Sequence, residues 1–318
     1  MLRRFFGFSI VLIATLACSR DDTASARTRN GAHASADGVA PRPSVIAPAS
    51  QPYKVVAVPV GGTVTGTVDI DGSAPVAAII RPTVDQSVCG NSIVEKTVTL
   101  AGTRIGGAIV WITDIHAGKA FPLERRFEIA NSNCSLDPYV QAMATTGTLN
   151  VSNDDRTVHT NRFINVGTGQ IVGIAPFNDD GEVVPVDRFK ESAEIEVVSD
   201  RHPWSHAWIA VLDHPYYAQT AASGTFSIEG IPPGRYLFRA WHPALGFADD
   251  SVSVVAGQQV SVAFKIRPTA RATPTPMPLP SDSQRPPALS PSTASSTPAS
   301  SSTPKIIGPP PPQRPLPY

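Results

Sequence analysis

His159 and His202 are the residues of this chain best suited to hold an ion. His159 closes the stretch Asn153-Asp154-Asp155-Arg156-Thr157-Val158-His159. His202 lies in Ser199-Asp200-Arg201-His202-Pro203-Trp204-Ser205-His206. With His206 nearby and Asp200 or Asp213 as oxygen donors, these residues suit a weak Cu(II) or Zn(II) site, since both ions accept imidazole and carboxylate ligands. The alternative is a loop in which His202 and Trp204 are packed or hydrogen-bonded and hold nothing.

Other chemistry finds less support. Cys89 and Cys134 lie in neither a Cys-x-x-Cys nor a Cys-x-x-His spacing, and an even pair in an oxidising compartment reads as a disulfide. The alternative is that one of them is a thiolate ligand. Gly-x-Ser-x-Gly, the phosphate-cradling Gly-x-x-x-x-Gly-Lys and His-Glu-x-x-His are absent, so no catalytic residue is assigned and an enzyme is not expected. The paired acids Asp154-Asp155 and Asp179-Asp180 sit in turn contexts and read as solvated loops. His214 and His242 each precede proline and read as packing residues between domains. Met143 reads as core. Lys plus Arg and Asp plus Glu both number 26, so no field favours nucleic acid.

The elements that must position these residues are strands. Short β-branched or alternating runs recur at Thr63–Ile70, Val94–Leu100, Ala108–Thr113, Arg126–Ala130, Val140–Ala144, Thr148–Ser152, Gln170–Ile174, Ala193–Val198 and Ala207–Leu212. Gly, Asn, Asp and Pro separate them. After His214-Pro215, further strands follow at Gly224–Ile228, Tyr236–Trp241 and Val252–Ile266, with a tight Pro232-Pro233-Gly234 turn. Residues 185–191 have room for one helical turn. The pattern predicts an all-β protein of packed sandwiches.

The ends differ. Arg3-Arg4 followed by an apolar run reads as a signal peptide over 1–17, too short to span a bilayer. It ends at Cys18, which resembles a lipobox cysteine, so an N-terminal lipid at Cys18 is expected. Residues 18–59 are poor in large apolar side chains and read as a flexible tether. Residues 268–318 are rich in Pro, Ser and Thr and read as an extended tail. This places the protein on the periplasmic side of a bacterial membrane, or secreted.

Asn133-Cys134-Ser135-Leu136-Asp137-Pro138-Tyr139-Val140, Asn153-x-Asp155-x-x-x-His159 and His202-Pro203-Trp204 together resemble a cupredoxin-like (plastocyanin-like) domain over 60–212. The resemblance implies His159 and His202 as copper ligands. It places Ser199 and Ser205 where the family has its cysteine and methionine. A blue-copper centre needs a soft thiolate, which serine cannot supply, so rapid electron transfer is not expected. Gly224–Ile228, Pro232–Tyr236 and Ala240-Trp241-His242 resemble a carboxypeptidase regulatory-like (transthyretin-like) β-sandwich over 213–267. Such modules are binding or structural elements. The opening strand at 62–75 looks like part of one too.

Three functions follow as expectations. The first is a non-enzymatic, membrane-anchored accessory subunit. It would dock on a larger membrane complex, electron-transferring in kind, through its sandwich surface and Pro-rich tail. Exposed Trp204, Trp208, Tyr216 and Tyr217 would then be its anchors. The second is a copper-binding or modified electron-carrier protein, holding weakly bound copper or zinc. The third is a carbohydrate or cell-surface binding module.

Overall fold

The computed structural model describes residues 39–95, 97–123, 126–187 and 189–268. The expected signal peptide, the expected lipid site Cys18 and residues 269–318 of the expected tail lie outside the described residues. Among the described residues no helix is long and apolar enough to cross a membrane. The architecture is all-β, with one four-residue helix, Gln86–Cys89.

Four sheets stack in layers, because several strands are apolar on both faces. The outer sandwich pairs two sheets. In the first, Gly62–Ile70 runs antiparallel to Thr225–Ile231 and parallel to Gln259–Ile266. The second is ordered Tyr217–Gln219, Ile109–Ile112, Gly234–His242, Gly246–Val254. Val64, Val68, Val110, Ile112, Phe226, Phe238 and Phe264 fill the core between them.

The inner sandwich, residues 126–212, also has two sheets. One is ordered Val140–Ala144, His206–Leu212, Ala193–Ser199, His159–Asn165, Ile171–Phe177. The other is ordered Ser135–Asp137, Arg126–Ser132, Thr148–Asn153, Val183–Val186. Met143, Leu149, Val151, Phe163, Ile195, Ile209 and Val211 fill its core.

A third apolar cluster joins the two sandwiches: Ile109, Trp111 and Trp241 from one, Val140, Ala142, Trp208, Ala210 and Leu212 from the other. Strand side chains alternate between faces. So Val110 and Ile112 enter the outer core while Ile109 and Trp111 enter the seam. Ile209 and Val211 enter the inner core while Trp208 and Ala210 enter the seam. The unbroken runs Ile109–Ile112 and Ala207–Leu212 are thus apolar because each strand is buried twice.

These pairings cross the expected boundary between 60–212 and 213–267 and follow its alternative, an insertion into the module whose opening strand is at 62–75. Strands from 62 to 112 belong with strands from 217 to 266, and the inner sandwich is an insertion between them. The pairing of Gly62–Ile70 with Gln259–Ile266 joins the two ends of the fold, a contact no local pattern announces. The fold corrects the docking anchors. Trp208 and Tyr216 are buried, at 4% and 0% exposure, in the seam and the outer core. Tyr217 is half-buried against the seam. Only Trp204 stands at a rim, and it too is half-buried. Among the described residues of 185–191 there is no helix; Val183–Val186 is a strand.

The tether expectation is corrected from Val39 onward. Val39 N–H donates to Gly169 O at 2.9 Å and Arg42 N–H to Val166 O at 2.9 Å. Gly169 has φ +71, and a Cβ there would lie 1.8 Å from Val39 O, so glycine lets the strap dock. Ile46 is buried in the seam. Buried carboxylates replace the missing apolar surface: Val45 N–H donates to Glu194 at 3.0 Å, and Arg42 pairs with Glu196.

Arg42→Ala is expected to cost about 3 kcal/mol, the low end for stripping a buried charge of its partner, because His206 still faces Glu196. Burial pushes the Glu196 carboxyl up, but His206 and Arg42 outweigh it and hold it below its usual range. A depressed carboxylate stabilises the fold above its unfolded pKa and loses that effect as pH falls through the folded one. Urea melts should therefore show the deficit at neutral pH, and the two curves should converge only as pH falls below the ordinary carboxylate range and through the depressed folded pKa of Glu196.

Candidate metal centre

His159 opens the strand His159–Asn165, which lies between Ala193–Ser199 and the edge strand Ile171–Phe177 in the five-stranded sheet, and is 1% exposed. His202 sits in the loop between Ala193–Ser199 and His206–Leu212 and is fully buried. The loop is tied tightly. Ser199 Oγ accepts from His202 N–H at 3.2 Å, Ser205 N–H donates to His202 O at 2.8 Å, and Ser199 N–H donates to Ser205 O at 3.2 Å. Ser199 therefore caps the loop it was read as merely emptying of sulfur. Trp204 Nε1–H donates to Cys134 O at 2.9 Å and its ring lies 5.2 Å from that of His202.

The two imidazoles meet with Nδ1 facing Nδ1 at 3.3 Å. Each Nε2 faces a carboxylate: Asp155 Oδ2 at 3.1 Å from His159, Asp85 Oδ2 at 3.1 Å from His202. Both carboxylates are ionised. Bonds from Arg201 hold Asp85 down to about 2, against the burial that opposes them. Burial raises Asp155, but His159 and the Cys134 N–H outweigh it and hold it below the usual range.

Ionised carboxylates accept only, so each Nε2 must carry the proton. That leaves two Nδ1 lone pairs pointing at each other where no water reaches. A shared proton would make a buried imidazolium, and burial followed by repulsion from His159 pushes His202 toward the neutral form. A cation satisfies both nitrogens at once. The 3.3 Å separation is close to the ~3.3 Å that two nitrogens span on one tetrahedral ion at about 2.0–2.1 Å. Carboxylates behind the ligating imidazoles are what such ions require to fix tautomer and ring angle.

The other proposed donors do not join. His206 Nδ1 lies 3.3 Å from Glu196 and its Nε2 bonds Pro203 O. Asp200 pairs with Arg162, and Asp213 accepts from Ser192 at 2.9 Å. Met143 is in the inner core. His242 stacks near Tyr139 in the seam, while His214 lies against Tyr53 and Tyr216. Asp155 is the correction with most consequence: read as a solvated loop acid, it is buried behind His159. Asp85 was missed. It stands in the left-handed region at φ 51 before the short helix, and no nearby residue links it to His202.

Cys89 and Cys134 form a disulfide. It lies against the histidines, with Cys89 Sγ 3.6 Å from His202 Nε2. Asn133 and Cys134 both take positive φ in the two-residue turn between Arg126–Ser132 and Ser135–Asp137. That turn aims the Cys134 N–H at Asp155, 2.9 Å away.

The family model for domain II of polysaccharide lyase family 4 matches residues 167–262, a span that crosses from the inner sandwich into the outer one. No curated protein matches the chain significantly. Among solved structures, the chain is similar to the copper-containing nitrite reductase of Thermus scotoductus SA-01, at 19% identity over 32% of this chain and 25% of that one, with TM-score 0.26. A purple cupredoxin from Nitrosopumilus maritimus is similar at 21% identity, over 28% of this chain and 100% of that one, with TM-score 0.25. Dithionite-reduced auracyanin from Roseiflexus castenholzii is similar at 10% identity, over 29% and 99%, with TM-score 0.23. The chain thus spans a quarter of the nitrite reductase and nearly the full length of the two smaller proteins.

Proposed function

We propose that this is an exported, non-catalytic protein whose inner sandwich holds one copper or zinc ion between His159 and His202. The observation that carries it is the pair of Nδ1 atoms facing each other at 3.3 Å with both Nε2 atoms committed to buried carboxylates. With Cys89 and Cys134 joined as a disulfide, neither offers a thiolate, so the ion would be held without the intense blue absorption or fast electron exchange of a thiolate site. Metal analysis of the purified full chain, after loading and desalting, is expected to give one ion per chain, lost in His159→Ala. No retained ion in the wild type would sink the reading.

Where the protein works remains the sequence reading. It is an accessory subunit held at the periplasmic face through lipid on Cys18 and docked on a larger membrane complex. The buried positions of Trp208 and Tyr216 remove two of its anchors, so any docking would use Trp204, the sandwich surface and the tail. Co-purification of a membrane complex with the tagged chain tests it.

The family-model match favours a second reading, carbohydrate binding. A cleft of about 420 Å³ presents Tyr139 and Trp204 beside Glu95 and Asp137, the mix of aromatic faces and carboxylates that sugars use. Glycan binding that survives His159→Ala and His202→Ala would favour it. The outer sandwich would then serve as the rigid support.

A further inference from the structure

The disulfide ties the short helix Gln86–Cys89 to the turn at Asn133-Cys134 and lies against His202. Cys89 Sγ, Cys134 Sγ and His202 lie in one buried cluster, their ligand atoms all within 4.8 Å. The contact is made on the Nε2 side of His202, with Sγ of Cys89 at 3.6 Å and Asp85 Oδ2 at 3.1 Å. His159 lies on the opposite, Nδ1 side. The imidazole of His202 therefore has a histidine partner on one edge and two sulfurs plus a carboxylate on the other. The 420 Å³ cleft reaches this second edge through Cys89, Trp204 and Ser205. Ser205 is 3% exposed, and its hydroxyl has no hydrogen-bond partner among the described residues. A buried polar atom without a protein partner at a cleft wall is open to water or to another ligand.

We infer that Cys89–Cys134 is a latent metal site: when reduced, its two thiolates and His202 Nε2 bind a thiophilic d10 ion, Zn(II) or Cu(I). Two thiolates, an imidazole and an adjacent carboxylate are the donor set these ions select. The opening step is exchange with a dithiol, which supplies two electrons and two protons. The S–S bond breaks, each cysteine gains a proton, and the dithiol leaves as a disulfide. Ion binding then releases the two thiol protons, and the His202 proton moves from Nε2 to Nδ1, where His159 Nδ1 accepts it at 3.3 Å. This goes beyond the histidine site, because it does not use His159.

The test compares the full chain oxidised and after anaerobic treatment with a small dithiol, using Co(II) as a spectroscopic probe and Zn(II) for stoichiometry. Oxidised protein should show no thiolate-to-cobalt absorption. Reduced protein should show it, and bound Zn(II) should protect both thiols from alkylation. His159→Ala should keep the band and Cys89→Ser or His202→Ala should lose it. Freely alkylated thiols in the presence of Zn(II), or a band that persists in Cys89→Ser, would overturn the inference. So would loss of the β-sheet circular dichroism on reduction, since the ligand set then never exists in a folded protein. Failure of the histidine site alone would read differently: an oxidised wild type without an ion, with the reduced spectrum intact.

Discussion

Trp241→Ala is expected to lower the unfolding free energy by about 3–5 kcal/mol, among the largest effects of any single truncation here. Trp241 is 2% exposed and lies in the seam cluster with Ile109, Trp111, Val140, Trp208 and Leu212. Its neighbours are fixed by strand pairing, with Trp241 opposite both Ile109 and Phe247, so the void cannot collapse cheaply. The loss would take a large share of the roughly 5–15 kcal/mol that holds a domain together. Because the seam belongs to both sandwiches, their unfolding is expected to be one cooperative transition in guanidinium, with fluorescence and circular dichroism coincident. Truncating half-buried Trp204 should cost less. A deficit for Trp241→Ala below about 1 kcal/mol would mean that the seam contributes little and the sandwiches fold separately.

The same seam explains what was legible in the sequence. The runs Ile109–Ile112 and Ala207–Leu212 were readable as strands because they are apolar and β-branched. Which sheet each joins was not readable, since burial on both faces erases the alternation that would assign a face. The strand His159–Asn165 escaped detection for the opposite reason. Its inward residues include His159 and Asn161, polar side chains whose partners come from distant segments: Asn161 Nδ2 donates to Asn131 Oδ1 at 3.0 Å. A polar interior looks like a loop when partners cannot be seen. The strap 39–46 was misread on similar grounds. Its anchors are Glu194 and Glu196, buried acids inside a strand otherwise indistinguishable from an exposed edge.

The candidate site was half legible. The residue types at His159 and His202 named themselves. Asp155 lay four positions before His159 in the very stretch that carried the resemblance, yet adjacent Asp154 made the pair look like solvated charge. Asp85 carried no signal at all, because its link to His202 spans 117 positions and depends on an excursion between two outer strands. The disulfide was read correctly as a pairing. Its position against His202 follows from the turn at Asn133-Cys134, which needs positive φ at a cysteine, a conformation that composition does not suggest.

Asp155→Asn is expected to weaken ion retention by about 10–100-fold while leaving the protein folded. The carboxylate does two things that an amide does poorly. It fixes the His159 proton on Nε2, so the Nδ1 lone pair points at His202, and its charge makes that nitrogen a stronger donor. Asparagine keeps the shape and one acceptor oxygen, so the bond from Cys134 N–H can persist and the turn need not move. Competition against a chelator of known affinity reads the effect directly, and a thermal melt of the metal-free variant separates it from any loss of stability. Asp85→Asn should act in the same sense on His202. It should act less cleanly, because Asp85 also binds Arg201, at 2.6 Å from Nη2, and so fixes the excursion that carries Cys89. An affinity unchanged in Asp155→Asn would show that the Asp155 charge contributes nothing to ion retention, since one amide oxygen can still accept both bonds that Oδ2 accepts, from Cys134 N–H and His159 Nε2–H.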